Sequence, residues 1–357
     1  MRLERTLEHL EHLVGFDTQN PPRDLTLEHP LFRYLREALG AGFELEVTDH
    51  GKGRITILAV RGTPRTLFNC HLDTVPASGD WSVPPLKLTV GEERAWGLGA
   101  CDVKGAGAAL LTLSQQDELP LALLFTTDEE GAEGCCVEAF VDGGGAGRFH
   151  RVVVCEPTGC RPVTRHRGYL SVRGRFAGTP GHSSEPRALE DSATHRLVQW
   201  GARAVERCRR RAEEGDSPRF NIGWLQGGVK SNVIAHEARV HWSARLNPGG
   251  NNEAFLHELT SLAPDDTHWD VPFSGPPLPA SGRTDDEAVE HLQARGLIPG
   301  EPVHFWTEAS LFSRGDVPAI VLGPGRIAQA HSADEWVALA ELEEIVHIYR
   351  RLAEPHA

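Results

Sequence analysis

The sequence predicts an α/β protein with a mostly parallel sheet flanked by helices and an inserted ferredoxin-like α+β domain. Three observations carry this. Near-continuous apolar runs at 55–60, at 66–71, in LALLFTTDEE and in RVVVCEP alternate with helical patterns, as strands of a parallel sheet covered on both faces do. From about 167 to 273 the texture changes to the order β-α-β-β-α-β, that of a ferredoxin-like sandwich. Afterwards α/β character returns, which makes the middle segment an insertion. The expected organisation is 1–166 and 275–357 as two parts of one domain, with 167–274 inserted between them.

Taken in order, helical periodicity covers 3–15 and 29–39, with Asn20-Pro21-Pro22 breaking the chain between them. Strands are expected at 43–47, 55–60 and 66–71, and 88–96 reads as an edge hairpin. From Lys104 the small residues Gly105, Ala106, Gly107, Ala108 and Ala109 suit a helix packed closely on a sheet. LALLFTTDEE is an apolar strand ending in acids; a short helix and then RVVVCEP, again ending in an acid, follow. In the insertion, YLSVRGRFAG reads as a strand, 189–211 as one long helix, and FNIGWLQGG and EARVHWSARLN as strands. A helix over 252–262 and the strand THWDVPF complete it. Beyond it come a helix at 285–295, a buried strand at 318–322 and a closing helix over 336–352.

A chain of 357 residues, 40% hydrophobic, can bury a substantial core without cross-links. Its net charge of −14 argues against a nucleic-acid partner or an anionic membrane surface, both of which call for basic patches. The one dense basic cluster, Arg207 to Arg211 broken by Cys208, is followed by Glu213 and Glu214 and reads as a solvated helix face. Seven cysteines, an odd number without CxxC pairs, fit a reducing cytoplasm. Cys70, Cys101 and Cys155 each precede a candidate ligand, so in extended backbone they face the core; the vicinal Cys135 and Cys136 are not expected to be ligands. The charged, amphipathic start has no apolar core of a signal peptide or a membrane span.

The chemistry begins at Leu67-Phe68-Asn69-Cys70-His71-Leu72-Asp73-Thr74-Val75-Pro76. An apolar strand climbs to a histidine, and a proline forbids its continuation. Alternation puts His71 and Asp73 on one side and Cys70 and Leu72 on the other, so His71 can bind a metal while Asp73 orients its surroundings. Asp102, Glu129, Glu130, Glu156 and His331 likewise follow apolar segments or sit in turns beside them. In an open α/β sheet the carboxyl ends of the strands share one crevice, so distance along the chain is no obstacle to a common site. Two histidines with several carboxylates suit zinc or cobalt. Two divalent ions would balance Asp102, Glu130 and Glu156 together with one hydroxide, which leaves Glu129 free to move a proton.

The motifs HLDTVP, GLGACDVKG, TTDEEG, CEPT and GPGRIAQAHSADE, in that order, resemble those of the dinuclear zinc amidohydrolases, an aminoacylase-like metallopeptidase family that includes the acetylornithine deacetylase group. The resemblance covers nearly the whole chain. It implies that His71 and Glu156 hold one metal, that Glu130 and His331 hold the other, and that Asp102 bridges them. It further implies Glu129 as general base and a cis peptide at Asp102-Val103. In TPGHSSEP, His182 stands where dimeric relatives send a histidine to the partner's active site to steady the oxyanion. Lys230 and Asn232 in GGVKSNVIA and Arg245 in WSARLNP resemble substrate-contacting positions, Arg245 being suited to clamp an α-carboxylate bidentately. Glu308 could receive a polar side chain or cap the helix that follows it.

The implied protein is a cytoplasmic homodimer, paired through an inserted lid and dimerisation domain. It holds two Zn2+ ions, with Co2+ as the alternative, and removes the acetyl group from an N-acetyl-L-amino acid, N-acetyl-L-citrulline or N-acetyl-L-ornithine, in arginine biosynthesis. The alternatives are a metallo-aminopeptidase or carboxypeptidase acting on short peptides, and a non-catalytic metal-binding protein of the same fold. Two other motifs are set aside. Gly323-Pro324-Gly325-Arg326-Ile327-Ala328 fits a dinucleotide fingerprint, but it holds a proline and no clear helix follows. Ser183 lacks the GxSxG elbow of a serine hydrolase.

Overall fold

The computed structural model describes residues 2–22, 25–116, 119–131, 136–280, 283 and 285–354; Cys135 lies outside them. By its internal contacts the chain divides into two units. One comprises Met1–Thr164, Thr284–Pro302 and Thr307–Ala357; the other comprises Arg165–Arg283 and Val303–Trp306. Residues 275–283 and 303–306 go with the second unit because His166 bridges both Leu278 and Val303 along the backbone.

The first unit is built on a six-stranded sheet in the spatial order Glu44–Asp49, Ile55–Arg61, Leu121–Thr126, Thr66–His71, Arg151–Val154, Ala319–Val321. The last four are mutually parallel; Ile55–Arg61 runs against them, and Glu44–Asp49 runs against Ile55–Arg61. Alternation sorts the apolar side chains. Phe68, Cys70, Val153 and Ile320 join the core shared with helices Arg2–Gly15, Lys104–Ser114 and Leu339–Ala353. On the other face, helix Ala309–Arg314 packs on Arg151–Val154 and Ala319–Val321. A Cβ on Gly107 would lie 3.4 Å from Cys70 Sγ, Leu13 Cδ1 and Leu72 Cδ2, so glycine there lets helix Lys104–Ser114 press onto the sheet.

Two expectations need correcting. The edge hairpin expected at 88–96 does form, Thr89–Val90 pairing antiparallel with Arg94–Trp96, and it joins Trp336–Ala338 in a separate three-stranded sheet. Consequently 336–338 is strand, fixed by the pairing of Trp336 with Trp96 and by the Arg94 guanidinium 3.9 Å over the Trp336 ring, and the closing helix starts only at Leu339. The helix expected over 189–211 is broken at Ser192, whose extended backbone (ψ 118°) separates Ala188–Asp191 from Ala193–Glu213.

The second unit carries a four-stranded antiparallel sheet in the order His268–Gly275, Tyr169–Ala177, Glu237–Arg245, Arg219–Gly227. Helices Ala193–Glu213 and Asn252–Thr260 complete the β-α-β-β-α-β sequence. Their core is aromatic: Phe176, Trp200 and Trp242 are fully buried, and Trp200 Nε1 donates to the Leu259 carbonyl at 2.9 Å. Strand Arg219–Gly227 is an edge with Trp224 and Leu225 exposed. Among the described residues no helix is long and apolar enough to cross a membrane.

Candidate metal centre

Three neighbouring strands assemble the site. Thr66–His71 lies between Leu121–Thr126 and Arg151–Val154, with His71 opposite Thr126 and Asn69 opposite Val154. Because all three are parallel and about 4.8 Å apart, His71, Glu129, Glu130 and Glu156 emerge side by side at their carboxyl ends. Asp102 comes from the loop before helix Lys104–Ser114, and the Asp102-Val103 peptide is cis, as the resemblance implies. His331 follows strand Ala319–Val321 on a left-handed backbone, φ 55°.

The residues form two groups sharing one member. His71, Asp102 and Glu156 offer donor atoms within 4.8 Å of one another, and so do Asp102, Glu130 and His331. His71 Nε2 lies 3.3 Å from Asp102 Oδ1 and 3.8 Å from Glu156 Oε1. His331 Nε2 lies 2.9 Å from Glu130 Oε1 and 3.4 Å from Asp102 Oδ2. Asp102 thus turns a different oxygen to each histidine, as a carboxylate shared between two cations would.

The donor set fits divalent ions. His71 Nδ1 sits 3.1 Å from the Asp73 carbonyl, while its buried Nε2 has no hydrogen-bond partner among the described residues. An imidazole held in this way presents a lone pair at Nε2, the form that binds metal. Nitrogen and carboxylate oxygen together are a borderline donor set, right for zinc or cobalt.

The electrostatics agree. Burial, then the nearby charge of Asp102, pushes the Glu156 carboxyl well up. Burial does the same to Glu129, with Glu130, Glu308 and Asp102 adding repulsion against the pull of His71. Glu129 and Glu130 keep some solvent exposure but are densely surrounded by protein atoms. Hydrogen bonds to Asp102 and Glu130 raise His331 to about 10. Burial favours the neutral ring of His71, but Asp102 and Asp73 outweigh it and raise the pKa. So many acids in one buried place call for compensating positive charge.

Two residues that sequence reasoning did not single out hold this arrangement together. The Asp73 carboxylate accepts from Asn20 Nδ2 at 2.9 Å, from the Glu130 amide at 3.0 Å and from the Glu129 amide at 3.2 Å. Asp73 therefore positions the tip that carries both glutamates, and Asn20 positions Asp73. Glu335, buried, accepts from the amides of Cys101 at 2.8 Å and of Gly99 and Asp102 at 2.9 Å. The only signal in the sequence was its place four residues after His331 in HSADE. The GPG turn packs on the ligand loops: a Cβ on Gly323 would meet the Glu156 carbonyl at 2.7 Å, and one on Gly325 would collide with the Cys101 Sγ. Only a short 3-10 turn, Ile327–Gln329, follows it, which is no dinucleotide-binding helix.

The remaining predicted residues fall into separate places. In the second unit, exposed His182 hydrogen-bonds Ser184 Oγ through Nδ1 at 2.8 Å, and the Ser183 amide donates to the Asn232 carbonyl at 3.1 Å. This brings the His182 turn to the Lys230–Asn232 turn. Arg245 is not there: it ends strand Glu237–Arg245, whose start lies beside those turns, and its guanidinium stacks 3.8 Å over the Tyr169 ring. At about 3.4 Å per residue the two places are roughly 25 Å apart. Glu308, in the first unit, is buried and adds to the repulsion on Glu129. Its side chain does not cap helix Ala309–Arg314; Thr307 Oγ1 accepts from the Ala309 amide instead.

The sequence model of Peptidase family M20/M25/M40 matches residues 67–354. The chain belongs to this peptidase family. M20 enzymes are metal-dependent hydrolases with a dinuclear site. Over 360 residues the chain is 43% identical to an N-acetyl-L-citrulline deacetylase from Xanthomonas campestris pv. campestris, covering 98% of each. It is 31% identical to an acetylornithine deacetylase from Proteus mirabilis, over 89% of this chain and 87% of the relative. The M20 fold is seen as well in a Staphylococcus aureus tripeptidase, TM-score 0.74 at 17% identity, covering 98% of this chain and 97% of that one. A metallo-carboxypeptidase of the family from Sulfolobus solfataricus superposes with a TM-score of 0.71 at 15% identity, covering 98% of both.

Proposed function

We propose that this chain removes the acetyl group from an N-acetyl-L-amino acid, N-acetyl-L-citrulline foremost and N-acetyl-L-ornithine as the alternative, within arginine biosynthesis in the cytoplasm. The observation that carries the reading is the pair of donor groups sharing Asp102, in a chain that resembles an N-acetyl-L-citrulline deacetylase end to end. His71, Asp102 and Glu156 would hold one divalent ion, and Asp102, Glu130 and His331 the other; zinc suits the donors, with cobalt as the alternative. Such ions, when bound, polarise an amide carbonyl and bring the pKa of water down to about 7.

The protein's own groups do the rest. Glu129, beside the ligands and spared from holding metal, takes a proton from the attacking water and returns it to the departing amine, so acetate and the free amino acid leave together. Burial and neighbouring acids make it a stronger base than an exposed glutamate. Asp73 keeps Glu129 and Glu130 in place through their amides. Arg245 would clamp the α-carboxylate of the substrate, while Lys230 and Asn232 make further contacts. His182 would steady the oxyanion.

The spacing within the second unit supports a homodimer as part of this reading. No small substrate spans roughly 25 Å, so if Arg245 and the His182 turn serve one substrate they come from different copies. The open edge strand Arg219–Gly227, with Trp224 and Leu225 exposed, is the natural surface for pairing through the inserted domain, 167–274. The test is turnover by metal-replete protein of N-acetylcitrulline, N-acetylornithine, succinyl-diaminopimelate and a dipeptide in parallel. Preference for the acetylated amino acids is expected. Comparable dipeptide hydrolysis would favour a peptidase, and inactivity on all four a non-catalytic metal binder.

A further inference from the structure

At the end of the sheet opposite the ligands, the chain gathers positive charge around a cavity. Thr66 and Arg151 open adjacent parallel strands and pair with each other, and Pro120 precedes the third. Since Thr66–His71 rises about 3.3 Å per residue, this end lies roughly 16 Å from His71. Here a cavity of about 260 Å³ is lined by Thr63, Arg65, Arg151, Arg295 and Glu354, among others.

The three arginines are held differently. Arg295 is pinned: Nε donates to the Arg351 carbonyl at 2.8 Å, Nη2 to the Glu354 carbonyl at 3.0 Å, and Nη1 lies 2.9 Å from His291 Nδ1. Arg65 is exposed and, among the described residues, meets only His150 Nδ1, at 3.4 Å. Arg151 is half-buried, and its guanidinium makes no hydrogen bond or ion pair among the described residues. The acids close by do not neutralise it. Glu354 turns its carboxylate to Arg350 at 3.0 Å, and Glu287 acts on Arg151 only at a distance.

A guanidinium presents a planar fork of five donors, and burying one half-way between two like charges without a carboxylate is unfavourable. The repulsion is evident: burial, then Arg295 and Arg65, pull Arg151 down to about 10. Such a group is stabilised when an anion enters the cavity, because each new N–H···O bond is charge-assisted and the like charges are screened.

We infer that the Arg65, Arg151 and Arg295 cavity is a second ligand site of this protein, binding a small, multiply charged oxyanion at the amino ends of the sheet. The fork geometry of Arg151 suits phosphate or carboxylate oxygens, and the cavity has room for one small anion and not for a chain. The site shares no residue with the metal centre, so it stands independently of the deacetylase reading.

Full-length, metal-replete protein is titrated by calorimetry with inorganic phosphate and, separately, with citrate, against sodium chloride of matched ionic strength. Saturable binding of either anion at one site per chain is expected, and the tighter of the two tells whether the pocket prefers phosphate or carboxylate oxygens. Arg151→Gln should weaken that binding about tenfold or more while metal content and turnover stay unchanged. Arg65→Gln, at an exposed position that folding tolerates, should weaken it by a smaller factor. Absence of saturable binding beyond chloride in the wild type overturns the inference. So does unchanged affinity in both variants, which would place the anion on the metals instead.

Discussion

The Glu335 carboxylate accepts the backbone N–H of Asp102 at 2.9 Å, and the same oxygen accepts that of Cys101 at 2.8 Å. A buried acid thus fixes the peptide that carries the shared ligand. Glu335→Ala would leave three buried amides without an acceptor, a loss of roughly 3 kcal/mol or more. The expected outcome is a lower Tm together with weaker metal retention on dialysis against a chelator. Unchanged metal affinity in a folded variant would show that Asp102 is held by other means.

Ligands and base should separate cleanly. Glu129→Ala is expected to retain both metals by elemental analysis and to lose about 10²- to 10⁴-fold in kcat, the range for removal of a general acid-base. His71→Ala and His331→Ala should each lose metal instead. If the Glu129 variant arrives without metal, the assignment of roles is wrong.

Glu308 bears on the choice of substrate. It is buried and close enough to Glu129 to repel it, so its charge should favour a cationic side chain over the neutral ureido group of citrulline. Glu308→Gln is expected to shift the ratio of kcat/KM towards N-acetylcitrulline relative to N-acetylornithine by about tenfold. A ratio that does not move would remove Glu308 from the specificity pocket.

His9 should make stability depend on pH away from the site. Buried in helix Arg2–Gly15, it meets Tyr34 Oη through Nδ1 at 2.7 Å and leaves Nε2 without a partner among the described residues. Burial, aided by Arg5 and His12, lowers its pKa from 6.5 to about 4. Between those two values the unfolded chain binds a proton that the folded chain refuses. Stability therefore falls as pH drops from about 6.5 towards 4. Denaturant melts across that window should show a shallower slope for His9→Gln, and an identical slope would count against the buried neutral ring.

Some of this was legible in the sequence and some was not, for physical reasons. His71 and Glu156 stand at the ends of apolar runs, so strand periodicity pointed to them, and Thr66–His71 is the strand the pattern predicts. Glu335 and Asn20 act on backbone amides or on another acid's side chain, and such partnerships leave no periodic trace. The strand Trp336–Ala338 is three residues long and draws its identity from Trp96, far away in sequence, so it reads locally as the start of a helix. The break at Ser192 is equally non-local, since the Ala193 amide is taken by the Ala235 carbonyl at 2.9 Å.

The insertion of the second unit between two parts of the first has a consequence for the order of events on the ribosome. His71, Asp102 and Glu156 are synthesised before it, whereas His331, and Glu335 that grips the Asp102 loop, emerge only after it. A nascent chain halted within the insertion owns three ligands for one ion and lacks a histidine for the other. Both donor groups are therefore completed only by the last part of the chain, the one through His331 itself and the other through the grip of Glu335 on the Asp102 loop.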